Sequence, residues 1–339
     1  MNDKFYVTDC EGPLSINDNA YEISDFFIPE GGEFFSILSN YDDMLVERNT
    51  EGYLAGSTLK LILPFFKAYD IKEEDIIQFS EDNINMVNGA YTMINHIQEI
   101  MPFYIVSTSY NQYIKALCDK TGFKYENTYS TQLKLDQYEL TNEEQESLLS
   151  IRENILFDYG FDNINHLFTD VISKMNINNL IESVEPVGGI GKRDAILDII
   201  DKNNYEPSNL MYSGDSITDC EALEYTKDND GISISFNGNI HSITSASISI
   251  TSNNNLILAI IAEVFKNKST EGVYDFISEY NDNPLEAILQ KSSNNEITQE
   301  LLLNKASIDI ITEDNIEELN NKSKITRNEV RGQKIGNLG

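Results

Sequence analysis

The sequence is short of cysteine, of positive charge and of long apolar runs, and each shortage removes a class of function. Three cysteines in 339 residues, Cys10, Cys118 and Cys220, cannot build a disulfide framework, and none sits in a Cys-x-x-Cys pair. That argues against a thiolate zinc site or an iron–sulfur cluster and fits a reducing compartment. Lys and Arg number 24 against 56 Asp and Glu, a formal net charge of −32. So acidic a surface repels phosphate backbones and anionic lipid, which makes nucleic acid and membranes poor partners. It also has the plainer reading of colloidal solubility. The longest apolar stretches, LILPFF and NLILAIIAEVF, fall well short of the roughly 20 residues a membrane helix needs. The opening MNDKFYVTDCEGP has no apolar run of signal-peptide length behind a basic segment, so a soluble, cytoplasmic protein is expected. His96, His166 and His241 lie in no metal-ligand spacing, and no repeat of solenoid period is present.

Hydrophobic residues make up 40% and aromatics 10%, enough for a core and too much for wholesale disorder. KFYVTDCEG is a short apolar run, Phe5 to Val7, that ends in Asp9 and a Gly12-Pro13 turn, and it reads as a buried strand. PFYIVSTS, NLMYSGDS, GISISFNG and ASISITSN read the same way, and KYENTYSTQLKL alternates in strand fashion. Between them, NQYIKALCDKTGF, KRDAILDIIDK and NLILAIIAEVF return apolar residues at helical spacing. Strand, helix, strand, helix predicts a parallel sheet covered on both faces. Ligands of such sheets bind beyond the carboxyl ends of the strands, so Asp9, Ser107 and Asp215, each just past a predicted strand, are expected in one crevice.

Residues 15–97 are mostly helical in pattern, and 134–184 are polar, acidic and helix-prone, like an insertion. From about 270 onward, short amphipathic pieces alternate with Ser/Asn-rich breaks. The last twenty residues carry Lys322, Lys324, Arg327, Arg331 and Lys334 against Glu329 alone. Such a basic end is either a frayed terminus or a docking segment.

Four pieces, VTDCEG, IVSTS, GGIGK and SGDSITD, occur in an order that resembles the haloacid-dehalogenase-like (HAD) superfamily, most of whose members are phosphatases. The step from Lys192 to Asp215 and the trailing strands are similar to its phosphoserine-phosphatase branch. The resemblance implies a Rossmann-like three-layer α/β core from residues 1–14 and 98–265, a helical cap at 15–97, the insertion at 134–184 within the core, and a helical C-terminal appendix at 266–339 with a flexible basic end. DCEGPLS, NDNAYEI, the acidic insertion and the helical tail are also similar to a small archaeal group, the subunit R family of an energy-converting hydrogenase.

The resemblance also implies roles. Asp9 would be the nucleophile and Glu11 the acid–base residue. Ser107 would donate to a phosphate oxygen, and Lys192 would supply an ammonium. Asp9, the backbone carbonyl of Glu11, Asp215 and Asp219 would hold Mg2+, a cation suited to hard oxygen donors. Two like charges about 4 Å apart repel by roughly 4 kcal/mol at an effective dielectric of 20. A carboxylate that attacks a phosphate therefore needs these cations. Thr108 and Ser109 would line the substrate site, and Asp18 and Arg48 would read the substrate's charged groups.

Each residue has a plainer reading: Asp9 as a helix cap, Ser107 as a turn serine, Lys192 as a solvated first-turn residue. Asp215 and Asp219 are harder to dismiss, because acids at i and i+4 repel unless a cation bridges them. The pattern departs from the family at Glu11, where Asp is usual, at Pro13, and at Thr108 and Ser109 in place of glycines. The expectation is a Mg2+-dependent phosphatase of a small phosphorylated metabolite. The alternative is a weak or inactive HAD-like accessory subunit of a hydrogenase complex, and a third reading is another HAD chemistry such as phosphotransfer or dehalogenation.

Overall fold

Short apolar runs form β1 (Phe5–Thr8), β2 (Phe103–Tyr110), β3 (Thr128–Thr131), β4 (Leu210–Gly214), β5 (Ile232–Phe236), β6 (Ile248–Thr251) and β7 (Ser307–Ile310). The computed structural model describes residues 3–48, 50 and 53–336. The strands pair in the order β3-β2-β1-β4-β5-β6-β7. The first six run parallel, and β7 is antiparallel to β6. Every residue of β1, β4, β5 and β6 is buried, as a parallel sheet with both faces covered requires.

Helices fill both faces. After β1 come α1 (Asn19–Phe27), α2 (Gly31–Glu47), α3 (Thr58–Leu61), α4 (Leu63–Ala68), α5 (Glu73–Asn83) and α6 (Ala90–Ile100). After β2 come α7 (Asn111–Thr121) and, past β3, α8 (Asn142–Phe157), α9 (Phe161–His166), α10 (Asn178–Ser183) and α11 (Ile190–Asn203). The remaining helices are α12 (Cys220–Asp228), α13 (Ile240–Ser245), α14 (Leu256–Lys268), α15 (Thr270–Asp282), α16 (Pro284–Lys291), α17 (Asn295–Leu303), α18 (Ile316–Arg331) and α19 (Gln333–Gly336).

Alternation along the strands sorts the two faces. Tyr6, Phe103, Ile105 and Met211 pack with Ile97 of α6, Leu117 of α7 and Ile261 of α14. Phe5, Val7, Leu210 and Tyr212 pack on the other side with Ile196 and Ile199 of α11 and Leu223 of α12. The result is the expected three-layer α/β core.

Two expectations need correction. The acidic insertion, expected within the core, packs on the cap instead: Leu148 and Ile155 of α8 and Leu180 of α10 share one buried cluster with Phe34 and Tyr41 of α2 and Phe65 of α4. Cap and insertion together form one helical mass. The C-terminal segment is likewise not a purely helical appendix with a flexible end. It supplies β7, it buries Phe276, Ile288, Leu301 and Ile308 in the main core, and α18 packs against α13 and β6. Apolar residues spaced for burial here find partners on α14 and the sheet as well as on one another.

Candidate functional site

Asp9 comes directly after the last residue of β1, and the parallel register puts Thr8 opposite Ile105 of β2 and Ser213 of β4. The carboxyl ends of the three central strands therefore lie side by side. Asp9 N–H donates to the Ser213 carbonyl at 2.8 Å, which fixes the loop after β1 against the loop after β4. Asp9, Asp215 and Asp219 are all buried, and each offers a carboxylate oxygen within 4.8 Å of the others.

Lys192, in the first turn of α11, is fully buried between two of these acids. Its Nζ lies 2.8 Å from Asp9 Oδ2 and 2.7 Å from Asp219 Oδ1. Burial alone would lower the ammonium, but Asp219 and Asp9 outweigh it and hold it above its ordinary value. Asp219 is pushed up by burial and pulled further down by Lys192, by the Tyr212 hydroxyl at 2.6 Å and by the Ser216 N–H. Its second oxygen accepts the backbone N–H of Asp215 and of Ser216, each at 3.0 Å. Both Asp219 oxygens thus have protein partners. Burial pushes Asp9 up to about 7, with Lys192 pulling it down and Asp219 and Asp215 pushing it up.

Asp215 is partnered from the far end of the chain. Its Oδ2 accepts from Arg327 Nη1 at 2.5 Å and from Arg331 Nη1 at 3.0 Å. Gly12 makes room for this carboxylate: its φ is +105°, and a Cβ there would sit 2.3 Å from Asp215 Cγ. The basic end, read from sequence as frayed or docking, places two guanidiniums inside the site. The signal was present in the spacing, since two cations at i and i+4 on one helix repel unless an anion joins them. Tyr212 carried no such signal.

Glu11 is half-buried and accepts the Asn19 N–H through Oε1 at 2.7 Å. Burial first, then Asp18, push its carboxyl well above the carboxylate range, against the pull of that N–H and of Arg331. Ser107 lies within β2, which continues through Ser109 to Tyr110 rather than ending at Val106. Its Oγ donates to Ser109 Oγ at 3.1 Å and accepts the Ser109 N–H at 3.2 Å. Thr108 Oγ1 donates to the Val187 carbonyl at 3.0 Å. Asp18 caps α1 by accepting the Tyr21 N–H.

These residues border a cavity of about 110 Å³, closed on the cap side by Phe35, Ser39 and Asp42 and on another by Arg327 and Arg331. Arg48 is not among its walls. Its guanidinium stacks 3.6 Å from the centroid of the Phe161 ring, on the insertion. The structure brings Asp9, Glu11, Asp18, Ser107, Thr108, Ser109 and Asp215 to one cavity, with Lys192 and Asp219 directly behind them, and leaves Arg48 outside.

The donors present fit a hard divalent cation. The three carboxylates lie close enough to share one, and among the described residues Asp215 Oδ1 accepts none of the hydrogen bonds that fill Oδ2. Asp219 also supports Lys192 and the loop carrying Asp215, and Asp9 is held in the same way, with Oδ1 accepting the Cys10 N–H at 2.7 Å and Oδ2 facing Lys192. Asp9, Asp215 and Asp219 are the carboxylates that could bind such a cation.

No protein-family model matches the chain, and no curated protein matches it significantly. Among solved structures it is similar to a gene product of Archaeoglobus fulgidus, with 28% identity, 99% of each chain covered and a TM-score of 0.85. That likeness extends through β7 and α18. Two further neighbours are 12% identical. One is a phosphoserine phosphatase in apo form, with 73% of this chain and 92% of that chain covered and a TM-score of 0.43. Another is a HAD family hydrolase from Salmonella enterica serovar Typhi, with 68% and 61% covered and a TM-score of 0.41. Among the described residues, no helix is long and apolar enough to cross a membrane.

Proposed function

We propose that the chain is a HAD-type phosphomonoester hydrolase acting through an aspartyl-phosphate on Asp9. The observation that supports this reading is the convergence of Asp9, Lys192, Asp215 and Asp219, from separate parts of the sequence, at one end of the sheet. Neither a helix cap nor a solvated surface lysine accounts for a buried cluster of that kind.

The Asp9 carboxylate displaces the ester oxygen from phosphorus, so an acyl-phosphate bond forms and the bond to the leaving group breaks. Glu11, whose carboxyl burial pushes well above its ordinary range, gives its proton to the departing oxygen. It then takes a proton from the water that attacks phosphorus, which releases inorganic phosphate and restores the Asp9 carboxylate. Lys192 pulls the Asp9 carboxyl toward its ionised form, against burial, and aims it. Ser107, beside them, offers its hydroxyl to a phosphate oxygen. A Mg2+ ion held by Asp9, Asp215, Asp219 and the Glu11 carbonyl would supply the positive charge that draws the phosphoryl oxygens to a carboxylate. The small cavity points to a small phosphorylated metabolite as substrate.

Purified protein is expected to release phosphate from an aryl phosphate with Mg2+, and Asp9→Asn to abolish the release. A clean preparation inactive on a broad phosphate panel overturns the reading.

One observation favours a second reading. Asp9, Asp215 and Asp219 already meet three cations, Lys192, Arg327 and Arg331, so the cluster is balanced as it stands and suits a catalytically silent accessory subunit. On the sequence resemblance to the subunit R family, such a subunit would belong to a hydrogenase assembly. That reading requires a wild-type protein without phosphatase activity that co-purifies with hydrogenase subunits, and an Asp9→Asn protein that co-purifies equally well.

A further inference from the structure

Asp215 is held by residues more than a hundred positions away. Arg327 Nη1 donates to Asp215 Oδ2 and, at 3.0 Å, to the Asp215 carbonyl, while Arg327 Nε donates to the Gly336 carbonyl at 3.0 Å. Arg331 donates to Asp215 Oδ2 through Nη1, to the Ile16 carbonyl through Nε at 3.2 Å, and to the Asn17 carbonyl through Nη2 at 2.5 Å. Arg331 thus joins α18 both to Asp215 and to the loop beyond Asp9 and Glu11. Ser323 adds a hydrogen bond to the Gly238 carbonyl at 2.7 Å, one turn earlier on the same helix.

Two guanidiniums buried side by side on a helix repel each other, and burial makes that repulsion stronger than it is in water. Asp215 is the anion that both guanidiniums share, with Asp18, Glu11 and Asp9 adding negative charge around Arg331. The converse also holds. A divalent cation placed on Asp215 would meet two positive charges on the same carboxylate, with little water between to screen them.

We infer that the α18 guanidiniums and a divalent cation compete for Asp215, so that the seating of the C-terminal helix sets the cation affinity of the site. The inference rests on the reading of Asp9 and Asp215 as cation donors. Arg327 and Arg331 supply the countercharge when α18 is seated. A bound ion takes over that role and loosens the helix, and the coupling is the same whichever partner acts first. A purely steering role has the opposite signature, because outer partners that orient a ligand strengthen metal binding, and their loss weakens it by roughly 10–100-fold.

The test uses Mn2+ as the probe, with binding read by electron paramagnetic resonance and calorimetry rather than by activity. The Arg327→Gln/Arg331→Gln double variant should bind Mn2+ on the order of tenfold or more tightly than wild type, since a large like-charge repulsion is removed. In wild type, Mn2+ should speed amide hydrogen exchange across residues 316–331. This second arm needs no variant and stands even if the double variant fails to fold. Equal or weaker binding by a folded double variant overturns the inference. So does Mn2+ binding without a change of exchange in α18, or no Mn2+ binding by any form. Asp9-dependent phosphate release is scored separately. Release with unaltered cation affinity in the double variant sinks the competition alone, whereas tighter binding without release sinks the phosphatase reading alone.

Discussion

Lys192 Nζ lies 2.8 Å from Asp9 Oδ2 and 2.7 Å from Asp219 Oδ1, so one fully buried ammonium serves two buried carboxylates. Removal of one partner from a buried ion pair costs about 3–5 kcal/mol, because the remaining charge is left without compensation. Lys192→Met should therefore lower the unfolding free energy by about that amount at neutral pH. Part of the loss should return at pH 5, where Asp9, already pushed up to about 7, takes a proton. Urea titrations at the two pH values measure both effects. A Lys192→Met protein as stable as wild type at pH 7 contradicts the account.

A second expectation concerns stability against pH. Burial pushes Asp42 up to about 7, against the Thr58 N–H and hydroxyl that it accepts, and pushes Glu22 up to about 7 as well. An acid whose folded value lies above its unfolded one binds more protons in the native state between the two values. Its contribution is complete below about 4, the ordinary value of an unfolded carboxyl, and is lost as the pH rises through about 7. The protein without added metal should melt at a higher temperature at pH 5 than at pH 8. Asp42→Asn should flatten part of that slope, as thermal scans across the range would show. A melting temperature that rises from pH 5 to pH 8 contradicts it.

The strands that carry the site were legible because each is a short apolar run that stops at a polar residue. Asp9 and Asp215 advertise the end of a parallel sheet by that break alone, whereas the break at Ser107 falls inside β2, which runs on to Tyr110. β7 was not legible: Ser307–Ile310 is four residues of mixed polarity, and only its pairing with β6 makes it a strand. The union of α2, α4 and α8 in one cluster was hidden for a related reason, since amphipathic periodicity reveals a buried face but not its partner. Arg327 and Arg331 looked like terminal charge. Their i, i+4 spacing called for a shared anion but did not name it, because Asp215 lies more than a hundred residues away.

Gly12 links backbone conformation to the site. Its φ of +105° is one that residues with a Cβ rarely adopt, and that Cβ would come within 2.3 Å of Asp215 Cγ. Gly12→Ala should cost more than about 1 kcal/mol, the scale of a substitution at an incompatible backbone position. It should also displace Asp215 and lower phosphate release. Chemical denaturation and an aryl phosphate assay on the same preparation test the pair of effects. Unchanged stability would show that the loop after β1 is freer than its contacts with Asp215 imply.

Deletion of residues 270–339 should destroy the protein rather than trim it. Phe276, Ile277, Ile288, Ile297, Leu301 and Ile308 are all fully or almost fully buried and belong to the same cluster as Tyr6 and Phe103 of the central strands. Full burial of each such side chain is worth roughly 1.5–3 kcal/mol, and together they match the whole stability of a domain, about 5–15 kcal/mol. The cut would also bare the edge of β6, an invitation to pairing with another chain. A shorter deletion, of residues 316–339, spares β7 and all six of those side chains and removes only α18 and the residues C-terminal to it. It should yield soluble protein with the sheet intact by circular dichroism and a lower melting temperature. Soluble, folded protein from the longer deletion would show that the core closes without its C-terminal third layer.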